Sequence, residues 1–176
     1  GLFSCIAQLF TDVCKPELDI PEDWRQTRLS VLFKKGDQRA LENYRAISIL
    51  PILLKLFSRV IYNRIADKLE ASQSVDQAGF RKGFACDDHL CCATMLVEKS
   101  REWNTPIWMI TVDFMKAIDT VDHEYLWQSL VDSDVPLEYV SVLRKLYSAQ
   151  EGTVVADRTS RTFPIKRGTK QGDPIS

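Results

Sequence analysis

The sequence of 176 residues predicts an α+β fold. Apolar residues recur every three or four positions from Ile52 to Leu69, which is the pattern of a helix with one buried face. Short segments rich in β-branched residues, bounded by Gly, Pro or Asp, predict strands elsewhere. The hydrophobic content of 45% and the seven Gly and seven Pro argue for a packed chain rather than a disordered one. The length suits one domain or two subdomains that share a core.

The first seventy residues are predicted to form two helices and two strands. The basic turn Lys34-Lys35-Gly36-Asp37 separates the two strands, and Pro51 ends the second one. The opening helix is short and polar on one side, so it is not a membrane span. In chain order the elements are a helix at 2–13, a polar connector at 16–23, strands at 27–33 and 44–50, and the helix at 52–69.

The remainder of the chain is predicted to alternate helices, loops and short strands. Asp87 or Asp88 is expected to cap one helix, and Pro136 suits the first turn of another. The polar segment Asp157 to Ser160 predicts a turn between two strands. The predicted elements are a loop at 77–83, helices at about 89–103, 122–131 and from 136, strands at 152–156 and 161–165, and a glycine-bounded loop at 168–176.

Asp113 follows a run of apolar residues, Ile107 to Val112, that predicts a strand covered on both faces. Helical spacing resumes after it, so Asp113 is placed where a buried strand meets a helix. A carboxylate held there is rigid and open to cations, which suits a metal ligand. An ordinary helix-capping role explains the same spacing.

Charge is unevenly distributed along the chain. Residues 24–70 carry a net charge of +6 and residues 141–176 carry +4, whereas residues 84–140, which contain Asp113, carry −8. Basic blocks on either side of an acidic one suit an enzyme that holds a phosphate backbone beside a cation-loaded centre. Charged faces of ordinary surface helices are the alternative.

The five cysteines lack the spacing of a zinc site, and their odd number does not suit a disulfide framework. We therefore expect reduced thiols in the core and an intracellular protein. No apolar run reaches about 18 residues, so no membrane partner is expected. The chain begins at Gly1 rather than Met and ends just after a turn-like Gly-Asp-Pro, so we expect it to be part of something longer.

Five motifs in order resemble the reverse transcriptases of LINE-type non-LTR retrotransposons. Each motif alone is weakly specific, but five in register over about residues 20–176 are not expected by chance. The motifs are Phe33-Lys34-Lys35-Gly36-Asp37, Asn43-Tyr44-Arg45-Ala46-Ile47-Ser48, Gln77-Ala78-Gly79-Phe80-Arg81, Asp113-Phe114-Met115-Lys116-Ala117-Ile118-Asp119-Thr120-Val121-Asp122-His123 and Gln171-Gly172-Asp173-Pro174-Ile175-Ser176.

The resemblance implies right-hand polymerase fingers plus an incomplete ferredoxin-like palm. An N-terminal helix and connector would occupy 1–23, the fingers 24–104 and the palm 105–176. It implies an RNA-directed DNA polymerase that uses Mg²⁺, an RNA template, a DNA primer and deoxynucleoside triphosphates. The remainder of its own polyprotein would be a further partner, and the site of action would be the nucleus.

The resemblance also implies roles for individual residues. Asp113 would be the first catalytic carboxylate and a metal ligand, with the backbone carbonyl of Phe114 as a second metal contact. Oxygen ligands are what Mg²⁺ requires. Nucleotide binding would fall to Lys34, Arg45, Ile118 and Gln171, and nucleic-acid binding to Arg81, Lys82, Lys170 and Gly172.

The chain departs from the family pattern at several positions. Ile118 stands where Phe usually excludes a ribose 2′ hydroxyl, so sugar discrimination is expected to be looser. Ala46 replaces a usual Pro, and Phe84 replaces a common basic residue. The family's second acidic motif, an Asp-Asp hairpin, is not in the sequence. Ala85-Cys86-Asp87-Asp88 resembles it locally but fits a helix cap, so the chain alone is expected to be inactive.

Two other functional classes remain open at this point. One is a non-catalytic nucleic-acid-binding domain derived from a polymerase, in which the basic fingers persist without the chemistry. The other is a Mg²⁺-dependent phosphohydrolase that uses Asp113, Asp119 and Asp122. A helix that starts near Asp122 would leave Asp119 directed toward solvent, which disfavours the hydrolase.

Overall fold

The computed structural model describes residues 1–156 and 159–176. Contacts divide the chain into two compact units, one formed by Gly1–Leu69 with Lys116–Ser176 and the other by Glu70–Met115. We call the first the sheet unit and the second, after its helix, the α3 unit. The predicted α+β class agrees with the mixture of helices and one small mixed sheet.

The predicted helices are all present, with small shifts at their ends. The helix predicted to have Pro136 in its first turn begins at the next residue, and Pro136, with extended backbone, occupies the N-cap position. Asp122 caps the preceding helix, because its carboxylate accepts the Glu124 N–H at 2.9 Å. The helices are α1 (Leu2–Cys14), α2 (Ile52–Ser72), α3 (Cys86–Glu102), α4 (His123–Asp132) and α5 (Leu137–Tyr147).

The sheet unit contains a four-stranded mixed sheet of order β2-β1-β3-β4. Its central strand β1 pairs antiparallel with β2 and parallel with β3, and β3 pairs antiparallel with β4. The strands are β1 (Gln26–Phe33), β2 (Tyr44–Ile49), β3 (Glu151–Val155) and β4 (Phe163–Pro164), which confirms four of the five predicted strand positions. The predicted turn at 157–160 includes Asp157 and Arg158, which lie outside the described residues.

The core of the sheet unit joins α1, α2, α4 and α5. Trp24 lies against Phe57, with ring centroids 5.4 Å apart, and Phe10 meets Phe57 edge-on at 5.2 Å. The apolar face predicted for α2 includes Leu53 and Leu56, which are 39% and 45% exposed, whereas Leu54, outside that prediction, is buried. The side chains of Phe57, Ile61 and Ile65 are buried as the helical spacing predicts. Each such side chain contributes roughly 1.5–3 kcal/mol through burial. This core supports the loops that carry the predicted nucleotide contacts.

The prediction of a buried strand at Ile107 to Val112 is wrong for this chain. Residues 105–114 form neither helix nor strand, and the side chains of Trp108 and Ile110 are 94% and 87% exposed. An apolar strand is stable only where neighbouring strands satisfy its backbone and cover its side chains. Within the described residues no strand pairs with this segment, so its apolar sequence remains uncovered.

The prediction that the cysteines lie in the core is also wrong. Cys5, Cys86, Cys91 and Cys92 are exposed and Cys14 is half-buried, and all five are free thiols. Three of them fall on α3, which has no buried residue.

Among the described residues, no helix has the length and apolar content needed to cross a bilayer.

Candidate functional site

The loop between β1 and β2, residues 34–43, is held in a defined shape by its own hydrogen bonds. The Lys34 N–H donates to the Asn43 carbonyl at 2.8 Å and closes the hairpin. The Asn43 side-chain amide donates to the Asp37 carbonyl at 2.9 Å, and the Tyr44 hydroxyl donates to the Gln38 carbonyl at 2.9 Å. Lys34 therefore projects into solvent from an ordered turn rather than from a free chain end.

Arg45 lies on the same hairpin as Lys34. It pairs in register with Leu32 of β1, two residues before Lys34, and its side chain is exposed. The structure thus brings the two predicted phosphate contacts onto one small antiparallel pair of strands. Neither side chain forms an ion pair with a described residue, so the hairpin presents positive charge to solvent.

The loop at 168–176, which we call the Gln171 loop, lies against the edge of β2. The Ser48 N–H donates to the Gln171 carbonyl at 2.9 Å. Gly172 permits this approach, because a Cβ there would lie 3.1 Å from the Ser48 carbonyl oxygen and its φ is +112°. The Lys170 carbonyl accepts from the Asp173 N–H at 2.9 Å and from the Ser176 hydroxyl at 2.8 Å. The loop is therefore closed on itself and fixed to the sheet.

The base of the Gln171 loop is fixed to the segment before α4. The Gly168 N–H donates to the Val121 carbonyl at 2.7 Å, and the Thr169 N–H donates to the Ile118 carbonyl at 3.0 Å. Gly168 has a φ of +82°, and a Cβ there would lie 2.6 Å from the Asp119 carbonyl oxygen. These bonds bring half-buried Ile118, the predicted sugar contact, next to the Gln171 loop.

Lys170 differs from its predicted role at the nucleic-acid surface. The residue is only 4% exposed, and its ammonium donates to the Trp24 carbonyl at 3.3 Å and lies 5.7 Å from the centre of the Tyr147 ring. Burial lowers the pKa of Lys170 to about 8. Its ammonium instead ties the Gln171 loop to the core, and Gly172 remains the exposed predicted contact on this loop.

Two further ionisable groups near Lys170 were not predicted. Burial raises the pKa of Asp173, and the Ser58 hydroxyl, the Ile175 N–H, Lys170 and Lys55 oppose that shift. Burial, with the nearby Asp173 charge, raises the pKa of Tyr147 to about 12. Asp173 within Gly-Asp-Pro predicts only a turn, so sequence pattern gives no signal that this carboxyl is buried.

In the α3 unit, Arg81 also differs from its predicted role. Its guanidinium donates to the Glu70 carboxylate, with the Nε bond at 2.9 Å, and to the Ser74 and Gln77 carbonyls at 2.8 and 3.0 Å. It also lies over the Phe84 ring, 4.3 Å from the centroid. These contacts use the guanidinium to hold the loop to the end of α2, so Arg81 has a structural role. Lys82 beside it is exposed.

Asp113 and Phe114 lie in the α3 unit on the segment without regular structure, and both are exposed. Helix α4 begins ten residues later with Asp122 as its cap, so the alternative that Asp113 caps a helix is wrong. The interpretation of Ala85-Cys86-Asp87-Asp88 as a helix cap is confirmed, because the Asp88 carboxylate accepts the Ala85 N–H at 2.8 Å at the start of α3.

The residues present do not form a complete magnesium site. Asp113 and the Phe114 carbonyl are oxygen donors of the required chemistry, but they include only one carboxylate. Among the described residues, no three acidic, His or Cys side chains are grouped so as to hold a metal ion. The lack of such a group among the described residues also weakens the hydrolase alternative. In addition, the Asp122 carboxylate is engaged in capping α4.

The family described as Reverse transcriptase (RNA-dependent DNA polymerase) matches residues 33–176. The chain therefore belongs to the reverse transcriptase family.

Several transposon proteins are similar to nearly the whole chain. An uncharacterized 149 kDa protein of transposon TX1 from Xenopus laevis is 30% identical over 160 residues, which is 90% of this chain and 12% of that protein. A Pol polyprotein of the type-1 retrotransposable element R2 from Popillia japonica is 28% identical over 163 residues, 89% of this chain and 22% of that protein. A probable RNA-directed DNA polymerase from transposon BS of Drosophila melanogaster is 29% identical over 160 residues, 88% of this chain and 17% of that protein.

These relatives confirm the predicted LINE-type, non-LTR reverse transcriptase family. The chain spans between 12% and 22% of the length of the relatives it matches.

Proposed function

We propose that this chain is the nucleotide-binding portion of an RNA-directed DNA polymerase that copies an RNA template from a DNA primer. The observation that carries the proposal is the docking of the Gln171 loop on β2 through the bond between the Ser48 N–H and the Gln171 carbonyl. That bond joins the predicted base-pair contact to the hairpin that bears Lys34 and Arg45. The family match over the same residues supports this interpretation.

In this proposal the exposed cations of the hairpin bind the triphosphate. The side chains of Lys34 and Arg45 can move toward an anion while their backbone stays fixed. Binding of the triphosphate would therefore cost little backbone conformational entropy in the loop. Gln171 lies on a backbone fixed at Gly168, Thr169 and its own carbonyl, which suits directed contacts with a nascent base pair. Ile118, bonded to the base of that loop, would contact the sugar.

Asp113 is proposed as one ligand of a two-magnesium centre. When bound, the metal pair would neutralise charge on the triphosphate and activate the primer 3′ hydroxyl. Because one carboxylate is insufficient, we propose that other acidic ligands come from another part of the polypeptide, on strands that pair with Ile107 to Val112. The uncovered apolar side chains of that segment support this, since strand pairing would bury them.

We expect the chain of 176 residues to be inactive in primer extension when it is alone. We expect a polypeptide extended beyond Ser176 to be active with Mg²⁺, an RNA template, a DNA primer and deoxynucleoside triphosphates. The extended polypeptide is therefore the protein in which the proposed chemistry is tested.

The test is primer extension by the extended polypeptide and by its Asp113→Ala variant. We expect extension to fall below detection in Asp113→Ala, because a metal ligand supplies several kcal/mol of transition-state stabilisation. Asp67→Ala on an exposed turn of α2 is the matched control and should retain activity. Near-normal extension by Asp113→Ala would refute the assignment of this carboxylate.

The second candidate function is a non-catalytic nucleic-acid-binding domain. The exposed cations of the hairpin would bind the phosphates of a nucleic acid as well as those of a nucleotide. The same experiment separates the two functions. A binder would retain affinity for a primer–template duplex, fail to extend it in every extended form, and be indifferent to Asp113→Ala.

A further inference from the structure

Among the residues that the structure describes, Phe80 is the large apolar residue with the most exposed side chain. Its side chain is 98% exposed, and it lies within the loop Gln77 to Gly83 of the α3 unit. Its φ is +63°, in the left-handed region that bulky residues seldom adopt. A residue there costs roughly 1–2 kcal/mol relative to the right-handed conformation. The fold therefore holds an aromatic ring in solvent in an unfavourable backbone conformation.

The contacts of Arg81 explain how this conformation is maintained. Its guanidinium joins the Glu70 carboxylate at the end of α2 to the Ser74 and Gln77 carbonyls that precede Phe80. The Gln77 side-chain amide also donates to the Gly79 carbonyl at 3.0 Å, directly before Phe80. The residues on both sides of Phe80 are thus fixed, and the ring is directed outward. Strained residues held by surrounding contacts concentrate at functional sites.

The surroundings of Phe80 favour a nucleic-acid base over an apolar protein partner. Along the loop, Ala78 is buried, and Phe80 adjoins Gly79, Arg81 and Lys82. The nearby Phe84 ring lies against the Arg81 guanidinium, so charged side chains accompany the exposed Phe80 ring. Arg81 is engaged internally, whereas Lys82 is exposed. One planar ring beside one ammonium is the combination that binds a base and an adjoining phosphate in single-stranded nucleic acid.

We propose that Phe80 is a base-stacking residue for single-stranded nucleic acid, with Lys82 contacting the neighbouring phosphate. This inference rests on the proposed function, and it moves the nucleic-acid contact of this loop from Arg81 to Phe80. Arg81 becomes the residue that positions the ring. The bound strand is recognised through its π-faces and backbone, so the site should accept different base sequences.

The test measures binding of a single-stranded oligonucleotide and of an abasic oligonucleotide of equal length to the 176-residue chain by fluorescence anisotropy. Phe80→Ala should weaken binding of the base-containing strand by about 5- to 150-fold, the range expected for loss of one stacked base. Binding of the abasic strand should be unchanged. Phe80→Trp should retain affinity, whereas Phe80→Leu should behave like Phe80→Ala because Leu is apolar but lacks a π-face.

Two controls separate stacking from other effects. Phe3→Ala removes a ring on α1 that is 87% exposed and should leave both affinities unchanged. Lys82→Gln should weaken both strands equally and reduce the slope of log affinity against log salt by about 1, as expected for one phosphate contact. Circular dichroism of each variant checks that the fold is retained.

Three results would overturn the inference. Equal losses for base-containing and abasic strands in Phe80→Ala would show that Phe80 acts without stacking. Full affinity in Phe80→Leu would indicate an apolar docking residue for another part of the polypeptide. Absence of binding by the unmodified chain would refute both this inference and the nucleic-acid contacts of the proposed function. The metal-ligand assignment of Asp113 is tested separately by primer extension, so the two failures are distinguishable.

Discussion

The Gln171 loop of the sheet unit and the segment at 105–115 of the α3 unit differ sharply in structure. The Gln171 loop is fixed to β2, to the segment before α4 and to the core, through backbone bonds of 2.7 to 3.0 Å and a buried ammonium. Residues 105–114 form no helix or strand, although their sequence is far more apolar. Apolar content alone therefore does not decide which part of a chain is ordered.

The difference follows from where the hydrogen-bonding partners lie. Gly168, Thr169 and Gln171 bond to groups at Val121, Ile118 and Ser48, all within the sheet unit. The backbone groups of a polar loop can form hydrogen bonds with nearby residues of the same unit. The backbone N–H and C=O groups of a strand need a neighbouring strand as their hydrogen-bonding partner. In our proposal the Gln171 loop, which is ordered in this chain, contacts the nucleotide, whereas Asp113 becomes a metal ligand only when further strands pair with its segment.

The largest expected effect on stability comes from Gly168→Ala, which places a side chain at the base of the Gln171 loop. A Cβ at this position would lie 2.6 Å from the Asp119 carbonyl oxygen and would force a side chain into a φ of +82°. We expect a loss of about 2–5 kcal/mol in the free energy of unfolding, because strain and overlap add. Urea unfolding followed by tryptophan fluorescence measures it.

Gly36→Ala is the matched control for Gly168→Ala. It has a φ of +94° in the same unit, but the atom nearest to an added Cβ would be Nδ2 of the Asn43 side chain, at 2.9 Å, rather than a backbone atom. A loss of about 1–2 kcal/mol is expected there from backbone strain. Equal losses in both variants would show that the backbone contact at Asp119 does not fix the loop.

The buried ammonium of Lys170 predicts a specific dependence of stability on pH. Burial lowers the pKa of Lys170 from 10.5 to about 8. Between these values the unfolded chain binds more protons than the folded chain, so this group makes stability rise with pH, by up to about 1.4 kcal/mol per pH unit. Lys170→Met should lack this contribution.

The measurement is the free energy of unfolding of both proteins from about pH 7 to about pH 10. The stability of the native chain relative to Lys170→Met should increase across the upper part of this range. Tyr147, whose pKa is raised to about 12, has the opposite influence above about pH 10 and is present in both proteins. A difference that stays constant with pH would place the Lys170 ammonium in water rather than in the core.

A smaller effect is expected from Ile118→Phe in the extended polypeptide. Ile118 is half-buried and its carbonyl accepts from the Thr169 N–H at the base of the Gln171 loop. A larger planar side chain should reach further over the sugar and increase discrimination against ribonucleotides by about 10-fold, which is the scale of a small steric change in a pocket. The ratio of kcat/KM for deoxyribonucleotides and ribonucleotides measures it.

Ile118→Val is the companion variant, since it removes bulk without changing branching at Cβ. It should leave discrimination equal to or below that of the native chain. An unchanged ratio in Ile118→Phe would show that Ile118 is not the sugar contact.

Sequence patterns predicted most of the secondary structure because the relevant forces are local. The spacing of Phe57, Ile61 and Ile65 predicts their burial on α2 without reference to other segments, whereas the burial of Leu54 in place of Leu53 depends on tertiary packing. Ile107 to Val112 was misassigned for the opposite reason, since a strand exists only with partners that local sequence does not reveal. The predicted domain boundaries at residues 24 and 105 remain predictions.

The roles of the candidate site residues remain predictions, and sequence patterns do not reveal their polar contacts. Lys34, Arg45 and Gln171 were assigned through family motifs, and the structure gathers all three in the sheet unit. Lys170 and Arg81 are basic residues in polar loops, where exposure is the natural expectation. Burial of Lys170 and engagement of Arg81 by Glu70 depend on tertiary contacts with Trp24 and α2, which no spacing rule encodes.

Amide hydrogen exchange on the 176-residue chain tests most directly the claim that the Gln171 loop is ordered in this chain and that the segment before Asp113 is not. The amides of Ser48, Gly168 and Thr169 donate to backbone carbonyls and should be protected, whereas those from Ile107 to Phe114 should exchange at nearly the rates of an unfolded peptide. Strong protection from Ile107 to Val112 in this chain, equal to that of Ser48, would contradict the account.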